Sequence, residues 1–203
     1  MRKSLLILFF LSMSYYLMAQ EIVKQKEIGL IFSSLDNFGL TYRTGTDNSL
    51  WRFNTLFISG GNTNETADSL VQIQSSSGLG VTIGKEYRKE LAENLQLRFG
   101  ADISFNYSKY KSDFDDKTVN NYDRFNQQTT YSPGINLVFG FNYQLKDSFI
   151  IGAELLPGFS YTTGTSTEKY YYINNGDEVK SDISRFYYGL SNTSARLSIV
   201  YSF

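Results

Sequence analysis

The chain has 203 residues, enough for one domain, with 19 Lys plus Arg against 20 Asp plus Glu and a formal charge of −1. It holds no Cys and no His. That excludes disulfides, thiolate chemistry, zinc sites built on Cys or His and any triad needing an imidazole, and the balanced charge excludes a basic footprint for nucleic acid.

The N-terminus reads as an address. Arg2 and Lys3 precede an apolar run from Leu5 to Leu11, and Ser12 to Met18 stays mostly apolar up to Ala19. A charged start, an apolar stretch short for a spanning helix and a small residue before the cut point to a signal peptide, residues 1–19, cleaved before Gln20 although Leu17 departs from an A-x-A pattern, with a retained N-terminal membrane anchor as the alternative. Residues 20–203 form the mature domain. After Ala19 no run of 18 apolar residues occurs, so the chain crosses a membrane as strands or not at all.

Beyond that point the period is two. With 16 Phe, 16 Tyr and 1 Trp but only 2 Pro, strand formers dominate. Eight strands are expected, at about 26–34, 38–45, 50–59, 77–88, 95–108, 134–145, 149–162 and 189–203. The first three are the least sharply patterned. In 77–88, Leu79, Val81, Ile83 and Tyr87 share one parity, against Gly78, Gly80, Thr82, Gly84 and Glu86. In 95–108, Leu97, Phe99, Ala101, Ile103 and Phe105 oppose Gln96, Arg98, Gly100, Asp102 and Ser104. In 134–145, Ile135, Leu137, Phe139, Phe141 and Tyr143 alternate with Asn136, Val138, Gly140 and Asn142, of which Val138 alone is a large apolar side chain. Such spacing separates two faces on a strand and would smear around a helix. The connections 35–37, 46–49, 89–94 and 146–148 are short. The stretches 60–76, 109–133 and 163–188 read as long polar loops. With the C-terminus on the inner side, 46–49, 89–94 and 146–148 fall on that side and the long loops on the other, as in an up-and-down barrel of an outer membrane.

Alternation alone leaves two barrels open, one with its apolar face toward lipid and a soluble, secreted, lipocalin-like binder with that face inside. Three features favour apolar-out. The polar parity is rich in Gly, Ser and Asn, which suits the narrow lumen of eight strands. It carries no Lys within the strands, where a solvated face would carry several. Aromatics gather at strand ends, Trp51, Tyr87, Tyr143, Phe149, Tyr201 and Phe203 at one, Tyr107, Tyr131, Tyr161 and Tyr187 at the other, as interfacial girdles do. Pro157, inside the seventh strand, calls for a bulge or an earlier strand end.

The signal sequence followed by a terminal Ala195-x-Leu197-x-Ile199-x-Tyr201-x-Phe203 resembles the small outer-membrane β-barrels of Gram-negative bacteria, the eight-stranded group that includes the OmpA transmembrane domain and OmpX. The likeness covers residues 26–203 as pattern rather than identity. It implies an all-β, eight-stranded antiparallel up-and-down transmembrane barrel in the outer membrane. It also implies that Leu197, Ile199, Tyr201 and Phe203 are the signal read by the barrel-assembly machinery. No periplasmic peptidoglycan-binding domain is expected after Phe203.

The polar parity sends Arg43, Arg52, Glu86, Arg88, Arg98, Asp102, Glu154 and Arg196 into the lumen. Buried charges must pair, so an internal salt-bridge network plugging the barrel is expected, with a gated ion path as the rival. In 109–133, Asp113, Asp115, Asp116 and Asp123 are balanced by Lys109, Lys111, Lys117 and Arg124, and the spacing is not that of an EF-hand; no metal or other cofactor is expected. Tyr170, Tyr171 and Tyr172, with Phe186, Tyr187 and Tyr188, extend strands above the membrane, form a protein-binding tip or belong to an interface girdle. The expectation is a monomeric, non-enzymatic surface or envelope protein in contact with outer-membrane lipid, with a loop-bound partner not specified. A small-solute porin-like channel and the lipocalin-like binder are the alternatives.

Overall fold

The computed structural model describes residues 25–34, 37–67, 70–116, 122–146, 148–172, 175–190 and 194–203. The expected signal peptide and the turn at Leu35–Asp36 lie outside these. The described residues form ten antiparallel strand segments: β1 (Gln25–Ser34), β2 (Asn37–Thr46), β3 (Ser49–Ala67), β4 (Leu70–Ala92), β5 (Leu95–Asp116), β6 (Tyr122–Lys146), β7 (Phe149–Leu155), β8 (Gly158–Tyr172), β9 (Asn175–Gly189) and β10 (Ala195–Ser202).

Eight of the ten close a ring. Each strand from β1 to β7 pairs with the next, β7 pairs with β10, and β10 returns to β1 with Phe32 opposite Leu197 and Glu27 opposite Ser202. The seam is sealed at its foot by reciprocal bonds between Lys26 and Phe203, 2.9 and 3.2 Å long. The remaining two segments, β8 and β9, form a hairpin that hangs from the upper half of β6.

The departure from eight plain strands has a local cause. The expected strand 149–162 breaks at Leu156–Pro157 into β7 and β8, because Pro157 has no N–H for the ladder. The neighbouring groups stay bonded across the break: Leu156 N–H donates to Ser194 O, and Leu137 N–H to Pro157 O, each at 2.8 Å. The expected last strand, 189–203, is likewise corrected. It begins at Ala195, and Asn175–Gly189 is a separate strand.

A larger correction concerns the three stretches read as loops. Residues 60–67 and 70–76, 109–116 and 122–133, and 163–172 with 175–188 continue the ladders as tall hairpins. β4, β5 and β6 run 23, 22 and 25 residues, whereas a tilted strand crosses a bilayer in about 9–11. β3, β4, β5, β6, β8 and β9 therefore rise as an open six-stranded sheet whose strands continue past the Tyr107–Tyr131 level for roughly 30 Å of strand length at about 3.3 Å per residue. Over β1, β2 and β10 the wall is short. Among the described residues, the far edges of upper β3 and of β9 pair with nothing.

Burial is inverted relative to a soluble protein. Phe99, Phe139 and Leu197 are 41%, 52% and 60% exposed, while Arg43, Arg52, Arg98 and Glu86 are 0% exposed. At the turn end Trp51, Tyr87, Tyr143, Phe149, Tyr201 and Phe203 face outward, with Tyr87 on Phe99 and Phe149 against Tyr201. The upper belt holds Tyr107 with Tyr131, and Phe159 with Phe186 and Tyr188. Tyr187, expected in that belt, stands opposite Ser160, and its neighbours Phe186 and Tyr188 take the outward positions opposite Tyr161 and Phe159.

Candidate functional site

The interior is assembled from one face of each strand. Arg43 comes from β2, Arg52 from β3, Glu86 and Arg88 from β4, Arg98 and Asp102 from β5, Glu154 from β7 and Arg196 from β10. All lie toward the turn end, where Arg43 is opposite Arg52, Arg88 opposite Arg98, and Glu154 opposite Arg196.

The side chains interlock through the centre. Arg52 clamps Glu154 with two bonds, 2.9 and 3.1 Å, reaches Glu86 at 3.2 Å and brings its Nε within 3.2 Å of Asp102. Arg98 bonds the same Glu154 and, at 3.1 Å, the Asn142 amide oxygen. Glu86 also takes the Nε–H of Arg88 at 2.7 Å and lies 3.7 Å from Arg98 and 3.9 Å from Arg43. The pairs Arg43–Arg52 and Arg88–Arg98 would repel if left alone; carboxylates inserted between them turn the clash into a network.

One member is absent from the sequence reading. Glu27 on β1 is fully buried and closes the network, holding Arg88 through bonds of 2.6 and 2.8 Å and Arg43 at 3.3 Å. Parity carried the signal, since Ile28 and Leu30 face outward, but buried Ile31 on the inward parity blurs the alternation of β1. Arg196, by contrast, sits opposite Glu154 without capturing it. Both Glu154 oxygens are bonded by Arg52 and Arg98, and Arg196 keeps a buried Nη1 with no hydrogen-bond partner.

Five guanidiniums thus face four carboxylates, a surplus of one positive charge in the network. Leu50, Val138, Ile150 and Val200 also point inward and are buried, so the lower interior is filled by side chains. Glycines make the fit. A Cβ on Gly84 would collide with the Ala101 carbonyl and the Asp102 carboxylate, so only a glycine lets Arg52 and Asp102 approach across that position.

The expected assembly strand is placed on the outer wall. Leu197, Ile199, Tyr201 and Phe203 are 60%, 50%, 44% and 63% exposed, with Tyr201 stacked on Phe203. In the hairpins, Lys111 pairs Asp113 at 2.8 Å, and no group of three or more acidic side chains among the described residues is arranged to hold a metal.

A sheet closed on itself, apolar outside and ionised inside, is a transmembrane β-barrel. The soluble lipocalin-like alternative is overturned, because its apolar face would have to be the interior that these arginines occupy. The family described as the putative OmpA-OmpF-like porin family matches residues 66–175, more than half of the chain, and the chain belongs to it; it is an outer-membrane protein. Among solved structures, it is similar to a major outer membrane protein from Thermus thermophilus, with 10% identity over 89% of this chain and 100% of that one and a TM-score of 0.46. It is also similar to CarO of Acinetobacter baumannii, with 12% identity over 88% and 97% and a TM-score of 0.38. No curated protein matches.

Proposed function

We propose that this chain is a plugged, non-enzymatic envelope protein that presents its tall hairpins on the cell surface. The observation that carries the reading is the interior network, whose arginines and carboxylates bridge β1, β2, β3, β4, β5 and β7 across the lumen. An ion or solute crossing it would have to break several charge-assisted bonds at once in a low dielectric. The hairpin end faces the exterior and the turn end the periplasm, following the usual distribution of long and short connections. In this reading the exposed apolar stripe is solvated by outer-membrane lipid, the barrel works as a monomer, and the C-terminal strand with Tyr201 and Phe203 is handed to the assembly machinery. With no His to serve as base and its lumen carboxylates held by arginines, the chain is not expected to catalyse hydrolysis.

The family's description as porins and the Arg196 Nη1 that lacks a hydrogen-bond partner support one second reading, a narrow pore for small solutes. Planar-bilayer recording of the purified barrel separates the two. The plug predicts a flat baseline at moderate voltage; large, steady conductance would establish the pore instead.

A further inference from the structure

We propose that the inner face of the hairpin sheet carries a carbohydrate-binding site. Because β4, β5 and β6 pair without a register break above the membrane, the face that lines the lumen below continues upward uninterrupted. There it builds consecutive cross-strand rows. Gln72, Phe114, Arg124 and Tyr170 stand opposite one another on β4, β5, β6 and β8; Ser112, Asn126 and Glu168 form the next row, and Tyr110 begins the third. A cavity of about 350 Å³ opens on this surface, lined by Gln72, Tyr110, Ser112, Phe114, Arg124 and Asn126. That is within the range of small-ligand sites, about 300–1,000 Å³.

The lining selects the ligand. Tyr110 and Phe114 offer aromatic surface, Gln72 and Asn126 offer amides that donate and accept, and Ser112 adds a hydroxyl. Arg124 is held in place, its guanidinium 5.4 Å from the centre of the Tyr170 ring and 3.6 Å from Glu168, which also accepts the Tyr170 hydroxyl. Glu168 offsets the charge of Arg124, so the site lacks the positive surplus that a phosphate or carboxylate ligand would need, and it is too polar for a lipid chain. A pyranose matches both halves, with C–H faces for the rings and a rim of hydroxyls for the amides and the guanidinium. The site shares with the preceding proposal only the side of the membrane that the hairpins face.

The full-length protein in nanodiscs, titrated with maltotriose, cellotriose, mannotriose and N-acetylchitotriose and followed by saturation-transfer NMR, tests this. At least one sugar should bind saturably. Tyr110→Ala and Phe114→Ala should each weaken it about tenfold or more, while Thr129→Ala, on the opposite face of β6, should not. Heat-modifiable migration certifies that each variant is folded. Absence of saturable binding to all four sugars, or binding indifferent to both aromatic substitutions, overturns the site. Sugar binding by a protein whose Ser112→Cys variant resists an impermeant maleimide on whole cells would support the site and overturn the surface reading alone.

Discussion

At the scale of single residues, the interior is governed by the cost of an unpaired ion. Glu154 holds Arg52 and Arg98 together; Glu154→Gln leaves both short of a counter-charge and raises the network's surplus from one positive charge to two. Breaking a buried pair by removing one partner costs about 3–5 kcal/mol. The variant should unfold at distinctly lower urea concentration than the parent in detergent or vesicles, and an unchanged midpoint would contradict the network's structural role. A companion change, Arg98→Met in the Glu154→Gln background, should recover part of the loss, since it returns the surplus to one positive charge and the next carboxylate to Arg98, Glu86, lies 3.7 Å away. Gly84→Val tests the same packing sterically. Its side chain would be forced against the Ala101 carbonyl and Asp102, and overpacking of this kind costs about 1–3 kcal/mol, readable as a lower temperature of heat-modifiable migration.

At the scale of elements, what the sequence made legible tracks which solvents a strand meets. Strands 95–108 and 134–145 alternate cleanly because one face meets lipid and the other a packed, charged lumen. Above the membrane both faces of β9 and of upper β3 are wet, so Asn, Ser, Thr and charged residues fall on either parity and the period-two signal fades. That is why 60–76, 109–133 and 163–188 read as loops although their described residues, 60–67, 70–76, 109–116, 122–133, 163–172 and 175–188, are laddered. Tyr187 illustrates a related limit: parity counted back from Phe203 does not survive the interruption between Gly189 and Ala195, so its face was not readable. Glu27 was missed through Ile31, one apolar residue on the lumen side. Hydrogen exchange checks the element-level account. Amides of β5 and β6 between the girdle and the tip should be protected on consecutive residues, being paired on both sides. Along β9 every second amide should exchange quickly, because only one edge is bonded. Uniformly fast exchange across 109–116 and 122–133 would restore the loops.

At the scale of the whole molecule, the barrel is asymmetric in height and inverted in polarity. The ring supplies the anchor, the interior supplies rigidity mainly through ion pairs, with a few buried apolar side chains among them, and the six-stranded extension supplies accessible surface. The C-terminal strand connects assembly to closure, since it is both the proposed recognition element and the last stave, joined to β1 through Lys26 and Phe203. Phe203→Ala keeps those backbone bonds and removes only an exposed ring. It should refold in detergent close to the parent while its level in the outer membrane falls several-fold, as read by fractionation; equal losses in both assays would make the ring a stability element rather than a signal.

Which solvent meets each face of the strands decides whether the barrel is inverted, and the absence of native cysteine makes that directly measurable. Nitroxide labels placed by Phe99→Cys, Phe139→Cys and Leu197→Cys in the reconstituted protein should be relaxed strongly by oxygen, which concentrates in hydrocarbon, and weakly by a water-soluble nickel chelate. A label at Asn142→Cys should be shielded from both. Labels at Phe99, Phe139 and Leu197 that are shielded from both relaxants, or relaxed mainly by the nickel chelate, would contradict the inverted barrel and every functional conclusion built on it.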